Sequence, residues 1–251
     1  MPTPSGWVLA PPFADRVGWT TQPPRLVGID WSNPLTRGLT YAVAPGCYSP
    51  TLSSQAGTIV RANSAGLATY FNGSSSTYVQ ANGDIGKDTG GTIVVMHRST
   101  VLPPNGPTYA HILACTTGVA SGDYDGFILG LGNGNGCPFI NVYANTSLDN
   151  GVASGAVALN DGRVHLTAGV YSELDGGPIT MYVDGKIVGS GNRAFPPETG
   201  YHALRFGSSP HTFWGGFDGE RNFAAFFKRQ LNAIEVASLS ANPWQLFSAD
   251  Y

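Results

Sequence analysis

The 251-residue chain reads as all-β, a two-sheet antiparallel β-sandwich with an extended N-terminal arm and one short C-terminal helix. Three observations carry that reading. Short runs of alternating apolar and polar residues recur along the chain, separated by Gly, Pro, Asn and Asp signals. One β-hairpin is explicit: Val164, Leu166, Ala168 and Val170 alternate with His165, Thr167, Gly169 and Tyr171, as in a half-buried strand. A second run sets Ile179, Met181 and Val183 against Thr180 and Tyr182, and ends in Asp184-Gly185, a pair suited to a two-residue turn. Finally, charged residues make up 12%, about half the usual ~25%, while 34 Gly and 18 Pro supply turns.

Taken in order, residues 1–34 form the first unit. They hold Pro2, Pro4, Pro11, Pro12, Pro23, Pro24 and Pro34 together with Trp7, Phe13, Trp19 and Trp31. Proline fixes φ and removes the ladder donor, so the segment is expected to be extended. Large aromatic groups are costly to leave in water. The segment therefore reads as a docking arm that lays them on a neighbouring surface or on the sandwich itself.

Residues 35–251 form the sandwich. Strand-like runs fall at 39–43, 58–61, 68–71, 77–80 and 92–97, then at 110–115, 126–131 and 139–143 after a Pro-rich loop. The small, apolar run 152–159 is ambiguous. The hairpin follows, then 203–206 and the aromatic strand 222–227. So many short strands imply two packed antiparallel sheets. The helix begins at N-cap Asn232, with Glu235 completing a capping box and Leu231 and Val236 placed as a hydrophobic staple. It is expected to end before Pro243, because Asn242 is pushed out of helical angles.

A net charge of −3 with no Lys/Arg stripe excludes a nucleic-acid partner. Lys228-Arg229 reads as a solvated strand end. Cys47, Cys115 and Cys137 match no zinc or Cys-x-x-Cys spacing and cannot all pair within one chain. Free, mostly buried thiols are the simplest reading, with one disulfide left open. The start lacks the basic and apolar regions of a signal peptide. No run approaches the roughly 18 apolar residues of a membrane span, so no membrane partner is expected.

The same residues offer little catalytic chemistry. Asp218 and Glu220, two apart on a strand, should point the same way and are the best-placed carboxylate pair. Ser121 lacks the flanking glycines of a nucleophile elbow. His97, His111, His165, His202 and His211 are scattered, and His97 and His165 read as core-edge or surface residues. The glycine-rich 130–137 is not followed by a helix and reads as a wide hairpin turn, not a phosphate loop. Catalytic residues and cofactors are accordingly expected to be absent.

The segment GRVHLTAGVYSELDGGPITMYVDGKIVGSG, with its Tyr-Val-Asp-Gly-Lys core, resembles the laminin-G-like, concanavalin-A-like jelly-roll family. LRFGSS followed by WGGFDGERNFAAFFKRQLNAIEVASLSANPWQLF resembles that family's closing pattern, a Gly-x-hydrophobic-Asp segment, a strand, Arg-x-Leu and a short helix. The ending ANPWQLF and the opening QPPRLVGIDWSNPLTRGLTYAV resemble laminin-G-like proteins encoded among the virion structural genes of tailed bacteriophages.

These resemblances imply a non-enzymatic virion protein, made in the host bacterial cytoplasm and present as a homo-oligomer or in many copies on the particle. It would dock through Trp7, Phe13, Trp19 and Trp31 on other capsid or tail proteins, as a capsid decoration or tail-associated protein. The alternative they imply is a carbohydrate-binding module for host-surface glycans, with Tyr201, His211 and Trp214 as candidate platform residues. Trp214 also reads as the buried start of a strand. Glucanase relatives carry a Glu-x-Asp-x-(x)-Glu strand, which this chain lacks. Family members often hold calcium at a rim, where Asp123 and Asp125 are the candidate ligands, competing with an ordinary Asx-rich turn.

Overall fold

A computed structural model describes residues 26–45, 47–49, 52–84, 90–102, 111–116, 119–120, 123–124, 126–132, 134–143, 152–172, 176–192, 203–210 and 214–249. The first strands are β1 (Leu26–Ile29), β2 (Leu39–Ala44), β3 (Cys47–Ser49), β4 (Leu52–Ala56), β5 (Ile59–Asn63), β6 (Gly66–Asn72) and β7 (Tyr78–Asp84). Then come β8 (Gly91–Arg98), β9 (His111–Thr116), β10 (Val119–Ala120), β11 (Asp123–Tyr124), β12 (Gly126–Leu131), β13 (Pro138–Tyr143) and β14 (Val152–Ser154). The last are β15 (Val164–Tyr171), β16 (Pro178–Val183), β17 (Lys186–Asn192), β18 (Ala203–Phe206), β19 (Gly215–Gly216), β20 (Asp218–Phe227), helix α1 (Ala233–Ala241) and β21 (Phe247–Ala249).

They build two large sheets. An eight-stranded sheet runs β14-β13-β12-β9-β18-β7-β4, with β19 added beside β9. A nine-stranded sheet runs β17-β16-β15-β8-β20-β2-β3, and the β5–β6 hairpin joins it along β20. Between the sheets lies the main core, where Phe127 stacks on Phe226 at 5.9 Å and Tyr41 on Phe206 at 5.5 Å. The expected all-β, two-sheet architecture is present; of the glycine-rich 130–137, Gly130 and Leu131 end β12 and Gly132, Gly134, Asn135, Gly136 and Cys137 lie between β12 and β13.

The hairpin turn is as its residues require. Asp184 (φ 49°) and Gly185 (φ 79°) both adopt left-handed angles between paired Val183 and Lys186. Aspartate tolerates this conformation when its side chain bonds locally. Asp184 Oδ1 accepts the Leu166 backbone N–H at 2.9 Å.

One expectation needs correction. β15 is not half-buried, because both of its faces are covered. Leu166, Ala168 and Val170 belong to a second core on the outer face of the nine-stranded sheet. Tyr171 and the partner strand's Ile179 and Met181 face the other sheet. At Gly169 the Ile140 side chain of the opposing sheet occupies the place a Cβ would take.

The second core is closed by the C-terminal segment. Leu231, Val236, Leu239, Trp244, Leu246 and Phe247 pack on Val94, Met96, Phe223 and Phe227. Asn232 and Glu235 form the expected capping box, at 3.0 and 2.8 Å, and the helix stops at Asn242 before Pro243. Residues 26–29 lie on the same side, where β1 pairs with β21 and Asn33 Nδ2 donates to the Gln245 carbonyl at 2.7 Å. Arg229 is not simply solvated, since it pairs with Glu235 at 2.8 Å, whereas Lys228 is exposed.

At one end the interior turns polar. His97, expected at a core edge or the surface, is fully buried, with Nε2 2.8 Å from Thr167 Oγ1. Phe217 meets His97 edge-on at 5.9 Å and His111 at 6.2 Å. Burial, reinforced by the charge of His165, pushes His97 down to about 3. Burial likewise pushes His111 down to about 4. His165 bridges Asp184 at 2.8 Å and Asp161 at 3.0 Å. Its bond to Asp184, with help from Asp161, raises its pKa above the ordinary histidine value.

Two predictions follow from this packing. Trp244→Ala removes a fully buried ring lying 6.3 Å from both Phe223 and Phe247, and should cost about 3–5 kcal/mol in denaturant unfolding. The second concerns pH. The fold resists protonation of His97 and His111, so their contribution is full above pH 6.5 and is lost as pH falls towards 4. His165 acts in the opposite direction: its contribution is full below 6.5 and is lost as pH rises through its raised value. Stability should therefore fall on acidification below 6.5, by up to about 1.4 kcal/mol per pH unit for each buried histidine. Urea midpoints measure this; an unchanged slope in His97→Gln would contradict the assignment to that residue.

Candidate functional site

Beyond the reach of helix α1, the outer face of the nine-stranded sheet opens into a polar cleft of about 380 Å³. Its walls come from the β5–β6 hairpin, the end of β8 and the start of β20. The hairpin turns at Ser64-Ala65, where Asn63 Oδ1 accepts the Ala65 N–H at 2.9 Å. Tyr70 stands opposite Ile59 on one side and Glu220 on the other, and Glu220 is opposite Arg98. Side chains alternate across a strand, so this register brings Arg61, Tyr70, Glu220 and Arg98 to one face.

Each group is held differently. The Arg61 guanidinium lies over the Tyr70 ring, 3.6 Å from its centroid. Tyr70 Oη donates to Asp218 Oδ1 at a long 3.4 Å. Glu220 Oε2 accepts from Asn63 Nδ2 at 2.9 Å and from Arg98 Nη1 at 3.3 Å. Arg98 also donates through Nε to the Gly162 carbonyl at 2.7 Å. Ser99 Oγ donates to the Asp218 carbonyl at 2.7 Å, fixing the start of β20 against the end of β8. Gly219 permits this approach, because a Cβ there would overlap the Arg98 carbonyl oxygen.

Asp218 and Glu220 do line the same cleft, as their spacing suggests. Their surroundings differ. Among the described residues, Glu220 is engaged by two donors, whereas Asp218 makes one long side-chain contact and keeps acceptor capacity for a hydroxyl. The cleft thus combines a flat cation–aromatic stack, a carboxylate with open lone pairs and a serine-threonine rim.

The other candidate residues lie apart from it. Trp214 sits on the outer face of the eight-stranded sheet, half-buried over Ile112, Cys115 and Ile128, with its ring 6.4 Å from Phe139. It precedes the short strand β19 rather than entering the inter-sheet core. Trp31 is 64% exposed, just past β1. Trp7, Phe13, Trp19, Asp125, Tyr201 and His211 lie outside the described residues, as do the side chains of Asp123 and Cys47. Among the described residues no group of three His, Cys, Asp or Glu could hold a metal. Cys115 and Cys137 are free thiols, and burial pushes Cys115 up to about 12.

Sequence reasoning missed Arg61, Tyr70 and Arg98. The available signal was scarcity: with only 13 Lys and Arg in the chain, an arginine three residues before a Ser-Ala turn and another ending an apolar strand stand out. Their meeting depends on strand register, which no local pattern displays.

A family model described as the concanavalin A-like lectin/glucanases superfamily matches residues 72–237. None of the curated proteins matches the chain. Among solved structures, the binding domain of Paraclostridial mosquitocidal protein 1 is similar at 13% identity and a TM-score of 0.57. The match covers 82% of this chain but only 52% of that one, so the chain spans about half its length. Domain 4 of AbnA, a GH43 extracellular arabinanase from Geobacillus stearothermophilus in complex with arabinotriose, is similar at 13% identity and a TM-score of 0.54. That match covers 80% of this chain and 98% of that one. The Ruminococcus gnavus IT-sialidase CBM40 bound to α2,3 sialyllactose is similar at 12% identity and a TM-score of 0.50, covering 65% and 95%. Identities this low speak for a shared fold. The family match takes in the β8–β15–β16 core, the cleft's Arg98, Asp218 and Glu220, and the strand leading to the capped helix, and on it the chain belongs to the concanavalin A-like lectin/glucanases superfamily.

Proposed function

We propose that the protein is a non-enzymatic carbohydrate-binding module that takes a saccharide in the Arg61–Tyr70–Asp218 cleft. The observation that carries this reading is the cleft's complement of groups. Asp218 offers a carboxylate acceptor for sugar hydroxyls, and Arg61 and Arg98 bring donors within the same 380 Å³. A volume of that order suits one or two sugar rings. Hydrogen bonds to charged groups contribute about 1.5–3 kcal/mol each, enough for the weak, specific binding of a lectin site. Support also comes from fold relatives whose structures hold arabinotriose or sialyllactose. Hydrolysis of a glycoside uses two carboxylates in separate roles. Here Glu220 is tied to Arg98 and Asn63, which favours binding over cleavage.

Asp218→Ala should weaken binding about tenfold or more, on a glycan array and by titration calorimetry, with the unfolding midpoint little changed. Wild-type affinity in that variant, or no saccharide bound by the parent chain, would sink the reading.

A second reading is favoured by Trp31. An indole 64% exposed beside β1 is an unusual surface group and a ready anchor for another protein. It suits a structural protein of a tailed-phage particle that docks on capsid or tail partners in many copies. Trp31→Ala should then reduce incorporation into particles, measured by co-sedimentation, without loss of glycan binding. Unchanged incorporation would count against docking through this residue.

A further inference from the structure

A second hollow, of about 300 Å³, lies on the same outer face, across the Arg98–Glu220 pair from the cleft. Met96 and Leu166, opposite each other on β8 and β15, make its floor together with Val164. The hairpin tip Ser64-Ala65 supplies one wall and Ser240, near the end of helix α1, another. Ala65, Met96 and Leu166 are at most 5% exposed, so this is a recess and not a flat apolar patch. The two hollows share their walls. Along β8, Met96 and Arg98 are two residues apart on one face, on the order of 7 Å. Along the hairpin, Arg61 lines the cleft, Asn63 bonds Glu220 on the divide at 2.9 Å, and Ser64 lines the recess. One sugar ring with its linkage covers that distance.

The recess is chemically unlike the cleft. Its one carboxylate, Asp184, is already engaged through both oxygens: Oδ1 accepts the Leu166 N–H at 2.9 Å and Oδ2 bonds His165 at 2.8 Å. The rim therefore presents no unpaired charge. The Ser64 and Ser240 hydroxyls, by contrast, have no hydrogen-bond partner among the described residues. An apolar floor with open hydroxyls at its edge suits an uncharged chain that enters from a polar linkage. An apolar cavity of about 150 Å³ takes up a benzene ring, so the recess has room for a chain of about eight carbons.

Resting on the glycan-binding reading above, we infer that the saccharide carries an uncharged alkyl or acyl chain, which lies on Met96 and Leu166 while the sugar occupies the cleft. Water held over such a floor finds few partners, so an apolar chain displaces it with a gain in free energy. A charged substituent is the less suited alternative, because it would lose hydration without meeting an open counter-charge.

The test compares methyl, butyl, hexyl, octyl and decyl glycosides of glucose, galactose and mannose, below their micelle concentrations, by titration calorimetry and ligand-observed NMR on the full chain. Affinity should rise about two- to fourfold per added methylene and level off near octyl, where the recess is full. Ser64→Trp and Ser240→Trp each put a large ring into the recess and should bring the octyl glycosides down to the methyl level. The two variants sit on different elements, so a folding defect in one, seen by circular dichroism, leaves the other to decide. Equal binding of methyl and octyl glycosides, or a chain-length preference that survives in a folded variant, overturns the inference while the glycan reading stands. So does an octyl ether of tri(ethylene glycol) that binds as tightly as the octyl glycosides, since the sugar would then add nothing. If no glycoside of any length binds, both fall.

Discussion

The nine-stranded sheet has to be buried on both faces, and most of the architecture follows from that. Its central strands β8, β15 and β20 carry apolar side chains at both parities: Ile93 and Val95 face the opposing sheet while Val94 and Met96 face outward. A sheet so composed would expose a broad apolar surface unless something lay over it. Helix α1, the Trp244 turn and the β1–β21 ribbon are that cover. The helix needs its capping box because it is only nine residues long, and isolated helices of that length are marginal in water.

The cleft begins where the cover ends. Along the outer face of β8, Val94 and Met96 give way to Arg98, and along β20 the apolar Phe227, Ala225 and Phe223 give way to Glu220 and Asp218. The change falls at the same level on both strands because they are paired, with an irregularity between Arg221 and Phe223 resetting the alternation. That irregularity has a second effect: it turns Arg221 inward as Glu220 turns outward. The cleft's carboxylates and the buried cation are therefore products of one departure from regular pairing.

Local signals in the sequence were reliable wherever the physics is local. Asp184-Gly185, the Asn232–Glu235 box and the Pro243 stop are each decided within a few residues, and the structure has them all. Strand positions were legible for the same reason, though β20 starts earlier than its aromatic run suggests, because Asp218 to Arg221 pair with β6 despite their polarity. Half-burial of β15 was misjudged because Thr167 and Gly169 look like solvent-facing residues. They are instead small groups that leave room for the opposing sheet. His97 misled similarly: a polar side chain in a strand suggests exposure until a partner such as Thr167 is found 70 residues away. The candidate site was half visible, as the Asp218–Glu220 spacing. Arg61 and Tyr70 reach it through hairpin register, and that information is distributed over both strands.

The pairing of Leu26–Ile29 with Phe247–Ala249 has a mechanical corollary. Leu26 lies opposite Ala249, so the outward-leading ends of both strands emerge side by side. Tension applied through those two ends would load the ribbon's hydrogen bonds one after another, peeling it open from Leu26 and Ala249 inward. A sheared pair would share the load and resist more strongly. Pulled in that direction, the ribbon would open at lower force than a sheared pair of the same length.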